Sequence, residues 1–395
     1  MQAELNIGML GHVDHGKTTL TSALTGKWTD THSEEIKRGI SIRLGYADFK
    51  VYKCAKCGKY TVQEKCDCGG KAEFKRKISI IDAPGHETLM TAVIAASNLL
   101  DAALFLIAAN EPCPQPQTVE HLIVLESMGV KNIIVVQTKI DLVSKEKALE
   151  NYAQIKKFLK GSVAESSPIV PVSSNYKLNI GELVAKIEER IPTPKRDEAA
   201  PLRMYVSRSF DVNKPGTKIS SLNGGVLGGS IVQGVLKSGE KIEIKPGIVR
   251  KAGGPPITIA CEARSIMEEN EALEVGKPGG LIAVGTSIDP SITKSDALVG
   301  SMIGRPGELP DAANTVKVKY EMLKRTDTEI APLRDGEPVV LNVHTATGVG
   351  AITNLAKGVA TVLLKKPVVA EKGTKVALSK RVGQRWRLSA WGTVV

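Results

Sequence analysis

The chain has 395 residues, of which 42% are hydrophobic and 24% charged, and Lys plus Arg exceed Asp plus Glu by eleven. The length exceeds what one core can serve and implies two or three domains. There is no apolar run fit to span a membrane and no charged-then-apolar leader, and the clustered cysteines point to metal rather than disulfides, so a cytoplasmic protein is expected rather than a membrane-spanning or secreted one.

In chain order, the apolar run Leu5 to Leu10 reads as a strand, and a helix is expected from near Lys17. Between them Gly11-His12-Val13-Asp14-His15-Gly16-Lys17-Thr18 fits GxxxxGK[ST], a loop whose backbone N–H groups close around phosphates. Asp14, His15, Gly16, Lys17, Thr18 and Thr19 form the candidate cradle. Lys17 can reach the β- and γ-phosphates, and the Thr18 hydroxyl can ligate Mg2+. The His12 and His15 side chains are expected to pack within the loop. Asp14 reads either as an exposed loop carboxylate or as a ligand to a monovalent cation.

Cys54-x2-Cys57 and Cys66-x-Cys68 follow, the first pair before Gly58 as in half of a zinc ribbon, the second before Gly69-Gly70. Four thiolates there would hold one structural Zn2+; a reduced hairpin without metal is the alternative. Cys113 and Cys261 stand alone and read as packing residues. Asp82 ends the strand-like run Ile78 to Ile81, where a carboxylate can hold Mg2+ through water. Gly85 permits a backbone flip that offers its N–H to a γ-phosphate. Leu89 to Ala109, broken by Asn98 and Asp101, reads as a helix and then a buried strand. Thr138-Lys139-Ile140-Asp141 follows the apolar run Ile133 to Val136. Asp141 can accept from both N1–H and N2–H2 of guanine, which adenine cannot supply; its other reading is a helix N-cap. Ser173-Ser174-Asn175 follows Ile169 to Val172 and matches a base-contacting turn.

These four elements, each at a strand end, describe a GTP/GDP-binding α/β domain with a mostly parallel sheet. Ile191-Pro192-Thr193-Pro194 reads as a stiff linker. Beyond it come short β-branched runs and four [KR]-Pro-Gly triplets, at 214–216, 245–247, 277–279 and 305–307. Pro-Gly suits a turn, so the second half reads as two β-barrels. The expected domains are 1–195, with the zinc knuckle at 54–68, then 200–304 and 305–395. Residues 306–395 hold fourteen basic and eight acidic side chains, over half of the chain's excess. Lys375, Lys380, Arg381, Arg385 and Arg387 surround Trp386 with no acid among them. That run suits an RNA backbone, and Trp386-Arg387-Leu388-Ser389 equally suits a final barrel strand.

Gly11 to Leu20 and Asp82-Ala83-Pro84-Gly85-His86 resemble translational GTPases of the elongation factor Tu type. Arg38-Gly39-Ile40-Ser41-Ile42, Ala109 to Thr118 and Gly224 to Val232 narrow the resemblance to the gamma subunit of archaeal initiation factor two, over essentially the whole chain through Arg385 to Leu388. The resemblance implies a GTPase that carries methionylated initiator tRNA to the small ribosomal subunit. It also implies alpha and beta partner subunits, a GTPase-activating factor, and an aminoacyl end held between domains I and II. His86 would orient the attacking water, with Val13 and Ile40 as an apolar gate. Ser41 stands where the family has a Thr ligand to Mg2+, and Thr138 where Asn ties the base loop to the phosphate loop, so a modest nucleotide affinity is expected. The Cys66-x-Cys68 pair is one residue tighter than the family's. Tyr46 reads equally as a stacking surface for the tRNA end and as a core residue; Arg385 and Arg387 are further tRNA candidates. A selenocysteinyl-tRNA elongation GTPase and the GTPase subunit of a sulfate-activating enzyme are the alternatives.

Overall fold

In a computed structural model, described for residues 1–29, 44–86, 89–249, 254–323, 330–383 and 385–395, the chain divides into two compact units. Ile40 and Ser41 lie outside the described residues.

Residues 3–194 form the first unit. Its strands are β1 (Leu5–Gly11), β2 (Gly45–Cys54), β3 (Tyr60–Thr61), β4 (Ala72–Asp82), β5 (Ala102–Ala108), β6 (Asn132–Thr138) and β7 (Ile169–Pro171). They join in the order β3-β2-β4-β1-β5-β6-β7. β4, β1, β5, β6 and β7 run parallel, while β2 and β3 are antiparallel additions. Every residue of β1 and β5 is buried, as a parallel strand covered on both faces requires. The helices are α1 (Lys17–Thr25), α2 (Met90–Ser97), α3 (Pro116–Met128), α4 (Lys145–Leu159) and α5 (Ile180–Arg190). Leu20 and Leu24 of α1 and Leu183, Val184 and Ile187 of α5 pack on Leu5, Ile7 and Met9 of β1. Helix signals are visible in the sequence: Pro116 opens α3, and Gly129 ends it in the left-handed conformation.

The parallel order decides where the site lies. Met9 is in register with Asp82, and Ala108 with Thr138. The carboxyl ends of β1, β4, β5 and β6 therefore meet at one edge, where doubly wound sheets bind ligands.

Residues 195–395 with Met1 and Gln2 form the second unit. Its first sheet uses β8 (Arg203–Phe210), β9 (Val226–Gln233), β11 (Glu240–Ile248), β12 (Ile257–Glu268), β13 (Glu271–Leu273), β15 (Ile282–Thr286) and β16 (Met302–Gly304); β10 (Leu236–Lys237) and β14 (Val275–Gly276) pair as a separate ribbon. The order is β11-β16-β8-β9-β15-β12-β13, and β11 also pairs with β12, which closes the sheet. The second barrel is β17 (Ala312–Met322), β18 (Pro338–Val343), β19 (Ala346–Ala356), β20 (Val359–Val369), β21 (Lys375–Val382) and β22 (Arg385–Val394), closed in the order β17-β20-β19-β18-β21-β22. Each barrel has its own apolar core. Gly216, Gly247, Gly279 and Gly307 of the four [KR]-Pro-Gly triplets all have positive φ, which glycine adopts without steric cost. The barrels touch through the Arg203–Glu371 ion pair at 3.0 Å and the Tyr205–His344 stack at 4.2 Å between ring centroids.

Candidate nucleotide site and cysteine cluster

The loop after β1 is built to receive an anion. Gly16 has φ 80° and precedes α1, whose first turn carries no acid, so the helix N-terminus keeps its positive partial charge. Lys17 Nζ donates to the Gly11 carbonyl at 3.0 Å and the His12 carbonyl at 2.7 Å. The amine is thus already in the cradle. Asp14 is exposed, with φ 61°. His15 is buried; its Nδ1 lies 3.0 Å from the Leu106 carbonyl and its Nε2 3.4 Å from Glu111 Oε2. Burial pushes its pKa down to about 4, so the ring is neutral at pH 7. His15 therefore braces the loop by its side chain. Thr19 is half-buried on α1. The Val13 N–H donates to Gln117 Oε1 at 3.2 Å.

Gly85 approaches this loop closely. A Cβ there would lie 2.5 Å from Lys17 Nζ and 2.9 Å from the Val13 nitrogen, so only glycine fits. His86 follows, half-buried, its carbonyl accepting from Leu89 N at 2.9 Å.

Oxygen donors converge at the end of β4. Thr18 Oγ1 donates to Asp82 Oδ2 at 2.8 Å and Thr29 Oγ1 to the same oxygen at 2.7 Å; Asp82 is 1% exposed. Hydroxyl and carboxylate oxygens beside a phosphate loop suit Mg2+. Thr29 was not marked by the sequence, where Trp28-Thr29-Asp30 carries no motif.

The base loop follows β6. Lys139 has φ 57°, and Asp141 lies exposed in a 3-10 turn, Ile140–Leu142. The capping alternative for Asp141 does not hold, because Ser144 caps α4, accepting from Lys147 N at 3.4 Å. Thr138 Oγ1 donates to the His15 carbonyl at 2.8 Å. Threonine therefore keeps the tie between base loop and phosphate loop that the sequence reading expected it to weaken. Beyond β7, Ser173 and Leu178 exchange backbone hydrogen bonds at 3.3 and 2.9 Å, and Ser173 Oγ accepts from Tyr176 N at 3.4 Å. Ser174 and Asn175 lie in the turn so closed, Asn175 exposed.

The four cysteines of the knuckle come together. Sγ of Cys54 and Cys68 are 3.5 Å apart, as are Cys57 and Cys66, and all four lie within 4.8 Å of one another. Tetrahedral zinc with Zn–S of about 2.3 Å needs sulfurs roughly 3.8 Å apart, so the set fits Zn2+. The tighter second pair is accommodated by glycine. Gly69 has φ 77°, its N–H bonding the Cys66 carbonyl at 2.8 Å, and a Cβ on Gly70 would lie 2.9 Å from Cys54 Sγ. The Cys57 backbone N–H, before other hydrogen bonds, pulls the Cys54 thiol down to about 6, towards the thiolate that binds metal. Burial pushes Cys113 up to about 12 and Cys261 up to about 11, as expected for packing thiols.

Tyr46 is half-buried on β2 opposite Ile81. Arg385 is exposed and Arg387 half-buried on β22, opposite Val382 and Lys380. Lys380 does not belong to the basic surface on which the sequence placed it. It is buried, pairs with Glu337 at 2.7 Å and donates to the Ala331 carbonyl at 3.0 Å. Among the described residues no helix is long and apolar enough to cross a membrane.

Residues 2–193 match the family model "Elongation factor Tu GTP binding domain", and residues 314–394 match "Initiation factor eIF2 gamma, C terminal". The chain is 53% identical over 401 residues to translation initiation factor 2 subunit gamma of Methanocaldococcus jannaschii, covering all of this chain and 98% of that one. It is 52% identical over 403 residues to the protein of the same name from Pyrococcus horikoshii, with the same coverage. A crystal structure of a bacterial selenocysteine-specific elongation factor superimposes with a TM-score of 0.77 at 28% identity, the chain spanning 58% of that protein. Elongation factor SelB of Methanococcus maripaludis gives 0.75 at 22% identity, covering all of this chain and 79% of that one, which is a likeness of fold alone. The selenocysteine alternative is therefore not favoured, and with initiation-factor similarity running from end to end of the chain, the chain belongs to the translation initiation factor 2 gamma-subunit family of translational GTPases.

Proposed function

We propose that the chain is a GTP-dependent carrier of methionylated initiator tRNA to the small ribosomal subunit, and the core of a heterotrimer with alpha and beta subunits. The observation that carries this reading is the end-to-end similarity to initiation factor 2 gamma subunits. The division into 1–195, 200–304 and 305–395 goes with it: a switch domain bearing the knuckle, then two barrels.

The geometry of the loops and the family resemblance support a role for each residue. Backbone N–H groups of residues 14–19 hold the phosphates, and Lys17 exchanges its two loop carbonyls for phosphate oxygens. Thr18, Asp82 and Ser41 hold Mg2+, which supplies charge neutralisation at the transferring phosphoryl group. Asp141 reads guanine, Lys139 flanks it, and Ser173 to Asn175 complete the base pocket. His86 positions water for hydrolysis, and Val13 with Ile40 keeps it turned away until the ribosome or an activating factor releases it. The parts given to Ile40 and Ser41 rest on sequence alone. Cys54, Cys57, Cys66 and Cys68 hold Zn2+ structurally. Arg385 and Arg387 offer phosphate contacts to tRNA, and Tyr46 offers a stacking face. A pull-down with tagged full-length chain, scored for tRNA identity and for two smaller partner proteins, tests the reading. Recovery of initiator tRNA with both subunits is expected; recovery of neither sinks it.

A further inference from the structure

The cysteine knuckle stands on the stem Tyr60 to Val62, and that stem reaches beyond the four sulfurs. β3 is two residues long and pairs with β2 through Tyr52 with Thr61 and Lys53 with Tyr60. Tyr60 and Val62 also pack against the main core of the nucleotide-binding unit, the cluster that holds Ile180, Leu183 and Val184 of α5. The approach to α5 is close: a Cβ on Gly181 would lie 2.9 Å from the Tyr60 carbonyl oxygen. α5 in turn follows directly on the base turn. Asn179 precedes the helix with φ 61°, and its Nδ2 donates to the Pro171 carbonyl at 2.9 Å. Ser173 and Leu178 close the turn that holds Ser174 and Asn175. That turn therefore has two supports. One is β7, an edge strand paired on one side only; the other is the first turn of α5, which the knuckle stem covers.

Little besides the sulfurs gives the knuckle its shape. Its own apolar core is Tyr52, Cys54 and Ala72, with Cys66 packed against them. A core that small does not fix a fold without a cross-link. Between the metal end and the start of α5 opens a cleft of about 420 Å³, lined by Cys57, Cys66 and Cys68 on one side and by Asn179, Gly181 and Glu182 on the other. The metal end thus reaches α5 through the stem and not by filling that space.

We propose that the knuckle sets how tightly the guanine base is held: with zinc on the four sulfurs, Tyr60 and Val62 brace α5 and keep the base turn in place, and without it the stem loosens and the turn is in place only part of the time. Cys57 and Cys68 are exposed, so the ion can be withdrawn and restored from solvent. Tyr60 and Val62 touch no nucleotide atom and act as positioning residues through α5. The inference rests on two readings already given, zinc on the knuckle and guanine at Ser173 to Asn175.

The test measures GDP and inorganic pyrophosphate binding to the full chain, with Mg2+ in excess, before and after zinc is withdrawn by a thiophilic chelator that leaves Mg2+ bound. A site competent a tenth to a third of the time binds roughly three- to tenfold more weakly, and that loss is expected for GDP, with recovery when zinc is added back. Pyrophosphate, which meets only the phosphate loop, should change by less than about twofold. Equal weakening of both ligands marks a general loosening and overturns the proposal. So does a melting temperature that falls while GDP affinity, measured well below the melt, stays the same. Should the zinc-free chain not fold, Gly181→Ala decides. It keeps all four cysteines and gives α5 a better helix former, yet its Cβ presses on the Tyr60 carbonyl. It should retain zinc, melt near the parent and weaken GDP by a similar factor with pyrophosphate unchanged; GDP affinity equal to the parent overturns the proposal. An unaltered chain that carries no zinc, or that binds no guanine nucleotide, overturns the reading beneath the proposal as well, and each is recognised before zinc is withdrawn or any variant is made.

Discussion

Thr138→Val removes one oxygen and keeps the shape of the side chain. That oxygen donates to the His15 carbonyl at 2.8 Å within the buried interior and joins two loops 123 residues apart in the chain. A neutral intramolecular hydrogen bond contributes about 0.5–1.5 kcal/mol net, and stripping a buried carbonyl of a donor raises the cost to about 1–3 kcal/mol. For a unit spanning residues 3–194, each kcal/mol moves the melting temperature by about 2–4 °C, so a fall of roughly 2–12 °C is expected for the nucleotide-binding unit. GDP affinity should fall as well, because the His15 end of the cradle loses its tie to the base loop; each 1.4 kcal/mol that reaches the bound state is about tenfold. Thermal unfolding followed by circular dichroism, with GDP titration of the same samples, measures both. Thr138→Asn, which retains a donor and adds a second amide hydrogen, should melt near the parent and bind GDP at least as well. A Thr138→Val protein that melts within about 1 °C of the parent and binds GDP equally would refute the view that this hydroxyl holds the two loops together.

Asp141→Asn replaces an acceptor with an amide and should shift preference from guanine to xanthine nucleotides, measured by competition; an unchanged guanine preference would take the base-reading role away from Asp141. Elemental analysis of protein purified without chelator should give one zinc per chain, and chelation should make the Cys54, Cys57, Cys66 and Cys68 thiols titratable; four freely reactive thiols and no metal would show that the converged sulfurs do not hold an ion. The histidines held neutral by burial set an acid limit. The pKa of His15 and of His344 is about 4 and that of His121 about 3, below the 6.5 of an unfolded chain, so the unfolded state binds more protons in between. Their contribution is fully present above pH 6.5 and is lost as pH falls towards 4. Denaturant melts should therefore weaken over that window, and a flat profile from pH 7 to 4 would contradict the neutral burial of these rings.

The parts of the site built from short stretches of chain were legible in the sequence. The phosphate loop needs a strand before it and a helix after it, and Leu5 to Thr25 carries both signals in its own pattern. Asp82 declares itself because it ends an apolar run, and Asp141 because it closes the Thr138-Lys139-Ile140-Asp141 stretch that follows one. What was hidden is held by partners far away in sequence. Thr29 reaches Asp82 across 53 residues, and nothing near it marks a hydroxyl that points at a carboxylate. Thr138 could be judged only against the asparagine it replaces, since the His15 carbonyl it meets is invisible in one dimension. Lys380 reads as surface charge beside Arg381, yet its ammonium is buried on Glu337 and two loop carbonyls. The Cys66-x-Cys68 spacing is short for a metal pair, but the backbone freedom that Gly69-Gly70 offers is readable in the sequence; only the turn back onto Cys54 is not. The barrels were visible as a class from their turns, but strand order depends on pairings that alternation along one strand does not encode.

The most direct test of the central claim is the affinity of the chain, assembled with its alpha subunit, for charged and uncharged initiator tRNA in the presence of GTP analogue or GDP. Methionylated initiator tRNA should bind best with the GTP analogue and more weakly with GDP, should beat both its uncharged form and an elongator tRNA, and should weaken as salt rises because phosphate contacts release counterions. Equal affinity for the charged and uncharged forms, whichever nucleotide is bound, would contradict the carrier role while leaving the GTPase intact.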